Sequence, residues 1–260
     1  MSWELIVIGG GPGGYTAAIR AAQLGLRTAL VERDAVGGTC LNRGCIPTKA
    51  LIHAAERYEE MKECETFGLR AEGVSFDYSA MCARRDQVVG QLRDGVERLL
   101  KGNKVDRITG TARILGPGRV QVGEEVLEGT NILIAAGSRP ALPPVPGLDL
   151  PGVLTSDDLL TGDTFYQRLA IIGGGVIGME FAGLYQALGA EVTVLEALDR
   201  ILPTLDRELS QSLSMLMKKK GVKLCAGARV ERVEQGPDGL ICTYAVKDKT
   251  ETVTADAVLV

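Results

Sequence analysis

Leu5-Ile6-Val7-Ile8-Gly9-Gly10-Gly11-Pro12-Gly13-Gly14 is the stretch from which the fold is read. Four consecutive apolar residues make the short run expected of a buried strand. The glycines allow a tight turn, and the Ala-rich segment from about Pro12 to Leu24 continues as a helix that stops at Gly25. A second strand, Thr28–Val31, ends on Glu32. Strand, Gly-x-Gly-x-x-Gly turn, helix, strand and terminal acid make a dinucleotide-binding unit. In such a unit the helix N-terminus faces a pyrophosphate and the acid takes two ribose hydroxyls.

The same device returns. Ala170–Ile172 leads into Gly173-Gly174-Gly175-Val176-Ile177-Gly178, a helix to Leu188, Gly189, and a strand Glu191–Leu195 ending on Glu196. Glu32 lies 23 residues after Gly9, and Glu196 lies 23 after Gly173; the helix-ending glycines lie 16 residues on in both. Matching at three features implies two dinucleotide sites in one chain. The fold class expected is therefore α/β, with two Rossmann-like three-layer units.

Composition sets the bounds. A chain of 260 residues, 45% hydrophobic and 24% charged, can bury a sizeable core in about two domains. Its net charge of −4, from 29 basic and 33 acidic residues, offers no basic face to nucleic acid or an anionic membrane. High glycine and only 4% aromatics suit nucleotide-binding α/β folds. Six cysteines and no secretory segment before Glu4–Ile8 point to a reducing, cytoplasmic setting.

Between the units, Ala50–Lys62 and Gln87–Leu100 carry apolar residues at helical spacing. Short strands follow around Asp106–Leu115, Arg119–Val122 and Asn131–Ala135. Five of the ten prolines fall between Pro140 and Pro151, a stiff boundary that divides the chain into domains 1–145 and 146–260. Beyond the second unit come a helix at about Asp206–Lys219 and strands at Val222–Cys225, Arg229–Gln235, Leu240–Val246 and Ala257–Val260. The last of these is a buried strand, so the chain reads as a fragment.

One further stretch carries chemistry: Gly37-Gly38-Thr39-Cys40-Leu41-Asn42-Arg43-Gly44-Cys45-Ile46-Pro47-Thr48-Lys49. Five residues of regular helix span about 7.5 Å along the axis, whereas a disulfide needs Cα atoms within about 7 Å. If Cys40 and Cys45 pair, the backbone between them is irregular, and Gly44 and Pro47 supply irregularity. A redox pair, half of a zinc site and two unrelated thiols all remain open on spacing alone.

These stretches carry a family resemblance over essentially the whole chain. Gly9–Gly25 (GGGPGGYTAAIRAAQLG), Gly37–Ala50 (GGTCLNRGCIPTKA) and Gly173–Glu180 (GGGVIGME) resemble the N-terminal part of the flavin-dependent pyridine nucleotide-disulfide oxidoreductases. Within that family the chain is most similar to the dihydrolipoamide dehydrogenases. Glutathione and mercuric reductases share the Cys-x4-Cys form but usually carry Val where this chain has Leu41 and Ile46.

The resemblance implies FAD on the first unit, with Gly9, Gly11, Gly14 and Glu32 on its ADP half. Gly38, Thr39 and Cys40 would lie against the flavin, with Thr111 and Ala112 near the adenine. The turn Ala136-Gly137-Ser138 corresponds to the family's Ala-Thr-Gly-Ser, with Ala136 in the threonine's place. NAD would occupy the second unit through Gly173, Gly175, Gly178 and Glu196, with Val230 near its adenine.

By the same resemblance Cys40 and Cys45 form a redox disulfide. Cys40 would exchange with dihydrolipoamide, and Cys45 would be the thiolate beside the flavin. Lys49 would be the cation at the flavin, paired with Glu180. The implied partners are a lipoyl-bearing domain of a 2-oxoacid dehydrogenase or glycine cleavage complex, and a second copy in a homodimer. No metal is implied. The family's catalytic base is a histidine from a C-terminal dimerisation domain; the only histidine here, His53, does not match it and reads as structural. The expected chain is thus a catalytically incomplete fragment, without that domain, of an enzyme oxidising dihydrolipoamide with NAD. The rivals are a related disulfide reductase, such as glutathione or mercuric reductase, and a non-catalytic nucleotide-binding module.

Overall fold

Alternating apolar stretches and glycine turns resolve into fourteen strands and seven α-helices among the described residues, 2–247 and 249–260 of a computed structural model. In order these are β1 (Trp3–Ile8), α1 (Pro12–Gln23), β2 (Thr28–Glu32), α2 (Gly38–Arg43), α3 (Cys45–Lys62) and α4 (Tyr78–Gly102). Next come β3 (Asp106–Thr109), β4 (Ala112–Gly116), β5 (Arg119–Val122) and β6 (Glu125–Ile134). The second half holds β7 (Val153–Leu154), α5 (Ser156–Thr161), β8 (Arg168–Ile172), α6 (Val176–Ala187), β9 (Glu191–Glu196) and α7 (Arg207–Lys219). It closes with β10 (Lys223–Ala226), β11 (Ala228–Gly236), β12 (Gly239–Val246), β13 (Lys249–Ala255) and β14 (Ala257–Leu259).

The chain packs as two units: residues up to Pro47 together with Arg84–Arg139, and Thr48–Ala83 together with Pro140–Val260. In the first, the sheet runs β3-β2-β1-β6-β5-β4, parallel from β3 to β6 and antiparallel beyond. Strand alternation sorts its core. Val7 and Leu30 face one side, with Ala18 of α1 and Val89, Val96 and Leu100 of α4. Ile6, Ala29 and Val31 face the other, against Val120, Val122 and Leu127 of the meander. Burying each such side chain stabilises the unit by about 1.5–3 kcal/mol.

The second unit repeats the plan: a parallel sheet β10-β9-β8-β14-β7, and a separate antiparallel sheet β11-β12-β13. Leu169 and Ile171 face α6, where Phe181 and Tyr185 are fully buried. Ala170 and Val258 face Val233, Leu240, Cys242 and Tyr244 of the antiparallel sheet. Aromatics are scarce, yet five meet here: Phe165 stacks on Tyr185 at 5.5 Å, with Tyr58, Phe76 and Tyr78 edge-on or tilted around them. That cluster is why residues 48–83 pack with the later half of the chain.

Both Rossmann-type units follow the sequence reading, and several element limits differ. The stretch Asp106–Leu115 is two strands on opposite sides of the sheet, split at Gly110 and Thr111. The second long helix begins at Tyr78 rather than Gln87, because Tyr78 and Cys82 also bury apolar surface. β13 was not expected; its sequence is polar and it pairs only with β12. No helix among the described residues is long and apolar enough to cross a membrane.

Candidate functional site

In the first unit, β1 delivers Gly9 into the turn at φ +105°. A Cβ on Gly9 would sit 2.2 Å from the Ala135 carbonyl oxygen, and one on Gly14 only 1.7 Å from the Gly9 carbonyl oxygen. Both positions therefore demand glycine. A Cβ on Gly11, which caps α1, would make only ordinary contact with Gly38 Cα at 3.7 Å, and one on Gly13 would meet nothing within 4 Å. The N–H groups left without a helix partner at the start of α1, together with the helix dipole, favour an anion. The turn fits a pyrophosphate.

Glu32 ends β2 and is fastened to its own turn. Its Oε2 accepts from the Gly10 N–H at 2.6 Å and its Oε1 from the Asp34 N–H at 2.9 Å. Each oxygen keeps acceptor capacity for a hydroxyl. The Gly110 N–H donates to the Glu32 carbonyl at 2.9 Å, which brings Thr111 and Ala112 to the same end of the sheet. Ala136, Gly137 and Ser138 follow β6 as an exposed turn, with Gly137 at φ +70°.

The cysteine segment starts directly on this turn. The Gly37 N–H donates to the Gly10 carbonyl at 2.8 Å, and a Cβ on Gly38 would lie 2.6 Å from Gly11 Cα. Thr39 is exposed and Cys40 half-buried on α2. The helix then breaks at Gly44, φ −147° and ψ −113°, and α3 restarts at Cys45. That break makes the backbone between Cys40 and Cys45 irregular. Cys45 is the more exposed of the two, the reverse of what access alone would give an exchanging Cys40.

In the second unit Lys49, one turn beyond Cys45 on α3, places Nζ 2.5 Å from Glu180 Oε1 on α6. The second turn reproduces the first. Gly173 has φ +111°, a Cβ on Gly178 would meet the Gly173 carbonyl oxygen at 2.2 Å, and Gly175 caps α6 with nothing within 4 Å. The buried Glu196 accepts from the Gly174 N–H at 2.6 Å and from the Leu198 N–H at 2.8 Å. The Gly227 N–H donates to the Leu198 carbonyl at 2.7 Å, bringing the start of β11 beside the acid. Val230 is half-buried there, just before a bulge in the β11–β12 register.

The family model for pyridine nucleotide-disulphide oxidoreductases matches residues 3–260. The chain belongs to that family. Two curated relatives are dihydrolipoyl dehydrogenases. One, from Bacillus subtilis (strain 168), is 43% identical over 99% of this chain and 58% of its own length. The other, from Acholeplasma laidlawii, is 40% identical over 99% of this chain and 77% of its own. Among solved structures, the HOCl-induced flavoprotein disulfide reductase RclA from Escherichia coli is 31% identical with a TM-score of 0.84, over 98% of this chain and 55% of that one. The chain thus spans about half the length of most of the relatives it matches.

Several side chains of this family member escaped the sequence reading. Asn42 donates from Nδ2 to the Val36 and Gly38 carbonyls, each at 3.0 Å, tying α2 to the loop before it. A short amide inside a helix is the signal for such back-bonding. Arg168 carried no local signal, and at Leu202 the signal was the Pro203 that follows it. His53 is exposed on α3, with Nδ1 3.9 Å from Glu56. Cys64, Cys82 and Cys242 are buried and Cys225 half-buried; burial pushes the Cys242 thiol up to about 11.

Proposed function

We propose that this chain is the cofactor-binding part of an enzyme that oxidises dihydrolipoamide with NAD through a Cys40–Cys45 disulfide. In this reading residues 1–145 hold FAD and 146–260 hold NAD. The observation that carries it is the joint between chemistry and cofactor turn: α2, bearing Cys40, begins on Gly10 and Gly11 of the first turn. A cysteine pair placed there serves two-electron transfer better than zinc binding or cross-linking.

One substrate thiolate attacks Cys40 Sγ, the Cys40–Cys45 bond breaks, and Cys45 leaves as a thiolate. The second substrate thiol then attacks the substrate sulfur of the mixed disulfide, and its proton passes to Cys40, which departs as a thiol. The substrate dithiol is oxidised to its cyclic disulfide, and the protein disulfide is reduced to the Cys40 thiol and the Cys45 thiolate. Cys45 is the first residue of α3, where the helix dipole favours negative charge. Lys49 brings a cation one turn on, and Glu180 fixes its direction. Gly9, Gly11, Gly14, Glu32, Gly38, Thr39, Thr111, Ala112, Ala136, Gly137 and Ser138 would hold the flavin; Gly173, Gly175, Gly178, Glu196 and Val230 would hold the nicotinamide nucleotide. Bound FAD supplies the two-electron step between dithiol and NAD. A lipoyl-bearing domain as substrate carrier, a homodimer and a cytoplasmic setting belong to the same proposal.

The test is direct. Purify the chain with FAD, measure flavin per chain, and assay NAD reduction by dihydrolipoamide beside NADH oxidation by lipoamide and by glutathione disulfide. Weak or substoichiometric flavin binding is expected, with dihydrolipoamide-dependent NAD reduction slow in these 260 residues, which span about half the length of most of their relatives. A preference for glutathione disulfide would reassign the substrate, and no flavin binding would leave a nucleotide-binding module.

A further inference from the structure

In both units the middle glycine of the turn is held from two sides. Gly10 gives its N–H to Glu32 and takes the Gly37 N–H on its carbonyl at 2.8 Å. Gly174 gives its N–H to Glu196 and takes the Leu202 N–H on its carbonyl, also at 2.8 Å. The match extends to the backbone: Gly11 caps its helix at φ −72°, ψ −177°, and Gly175 at φ −73°, ψ −179°. The two donors differ. Gly37 stands at φ +101°, where glycine is at ease; Leu202 stands at φ +48°, where a Cβ crowds the backbone.

A leucine keeps that conformation only where its surroundings impose it. Leu202 is 7% exposed and packs in the core around α6. Its neighbour Ile201 is tied to α7 by the buried Ser210 hydroxyl, which donates to the Ile201 carbonyl at 2.7 Å. A Cβ on Gly174 would meet Ile201 Cγ2 at 2.8 Å, so the segment lies directly on the turn. The geometry points to Leu202 as a positioning residue of the second nucleotide site. Its side chain, anchored in the core, and the turn that the Leu205 N–H closes on its carbonyl at 3.0 Å hold its N–H on the Gly174 carbonyl and thereby set the peptide groups that face the ligand. It touches no ligand itself. This rests on the reading of the second unit as the NAD site.

Two substitutions separate positioning from bulk packing. Leu202→Val keeps an apolar side chain, but a β-branched residue resists positive φ and withdraws the N–H. Leu202→Gly loses the side chain, yet adopts positive φ freely. NADH affinity by calorimetry and the melting temperature are measured on the 260-residue chain and both variants. We expect Leu202→Val to weaken NADH about tenfold, the effect of losing roughly one backbone hydrogen bond. Leu202→Gly should melt lowest yet bind NADH more tightly than Leu202→Val. If NADH affinity instead follows melting temperature, with Leu202→Gly the weaker binder, or if neither variant changes it, the positioning role is overturned. If the parent chain binds no NADH while folded, the NAD reading fails and this inference falls with it.

Discussion

Lys49 and Glu180 stand 131 residues apart in sequence and join α3 to α6 through one hydrogen-bonded ion pair at 2.5 Å. The Lys49 side chain is 57% exposed and that of Glu180 28%, so the pair adds little stability, about 0–1 kcal/mol. In the proposed reading the pair instead aims the Lys49 ammonium at the flavin. Lys49→Met should leave the melting temperature nearly unchanged and lower dithiol-driven NAD reduction in flavin-loaded protein about 100-fold, the scale of losing one preorganised electrostatic contact. Full activity in Lys49→Met would end the proposed role; a large drop in melting temperature would make it structural.

The two cysteines should behave differently. Cys45 is exposed, so it should be the first alkylated by iodoacetamide in flavin-free chain, and added FAD should protect it. In flavin-loaded protein Cys40→Ser should keep a long-wavelength absorption band and Cys45→Ser should lose it. Protection of Cys40 instead, or identical spectra, reverses the division of labour.

Cofactor preference follows from Glu196. Its carboxylate is fixed by two backbone N–H groups and repels a 2′-phosphate, while the Arg200 Nη2 donates to the Pro203 carbonyl at 3.0 Å. NADH should bind more tightly than NADPH, and Glu196→Ser should narrow the ratio about tenfold, or 1.4 kcal/mol. Titration with both nucleotides decides it; tighter NADPH binding by the parent chain contradicts the assignment.

Acid stability of the second unit should depend on Asp256. Burial raises this carboxyl, but hydrogen bonds and charge from Arg168 outweigh it and hold it below the ordinary carboxylate range. Its oxygens take the Arg168 Nε at 2.9 Å, Nη2 at 2.5 Å and backbone N–H at 2.8 Å. With a lowered folded value, the stabilisation is complete above the unfolded value of about 4 and is lost as pH falls through the folded one. The pair is partly exposed, so Asp256→Asn should lower the melting temperature at pH 7 by only about 2–4 °C. The difference should shrink below about pH 4. A constant difference across pH would mean that charge is not the cause.

The two units were legible because their signals are local. Gly9, Gly14 and Glu32 recur at one spacing in Gly173, Gly178 and Glu196, and hydrophobic runs such as Leu5–Ile8 need no distant partner to be read. What escaped depends on contacts across the chain. Tyr78 joins a helix because Phe165 and Tyr185 cover it, and β13 exists because β12 lends it a ladder. At Leu202 the following Pro203 signals a turn, closed by the Leu205 N–H on the Leu202 carbonyl at 3.0 Å, but nothing local asks a leucine for positive φ. At the site, Cys40, Cys45 and Lys49 were visible as residue types, whereas the break at Gly44 that separates α2 from α3 required the backbone itself.

One difference between the repeated units concerns how each comes apart. In the first, β6 is a single ten-residue strand, pairing with β5 over Glu125–Glu128 and with β1 from Gly129 onward. Meander and parallel sheet share that backbone, so neither can open without straining the other. In the second, the chain bends at Asp256, leaving β13 in one sheet and β14 in another. Amides along β6 should therefore exchange with solvent at one common free energy of opening, whereas β13 should exchange ahead of β14. A duplicated architecture would then unfold as one cooperative block in its first copy and as two in its second.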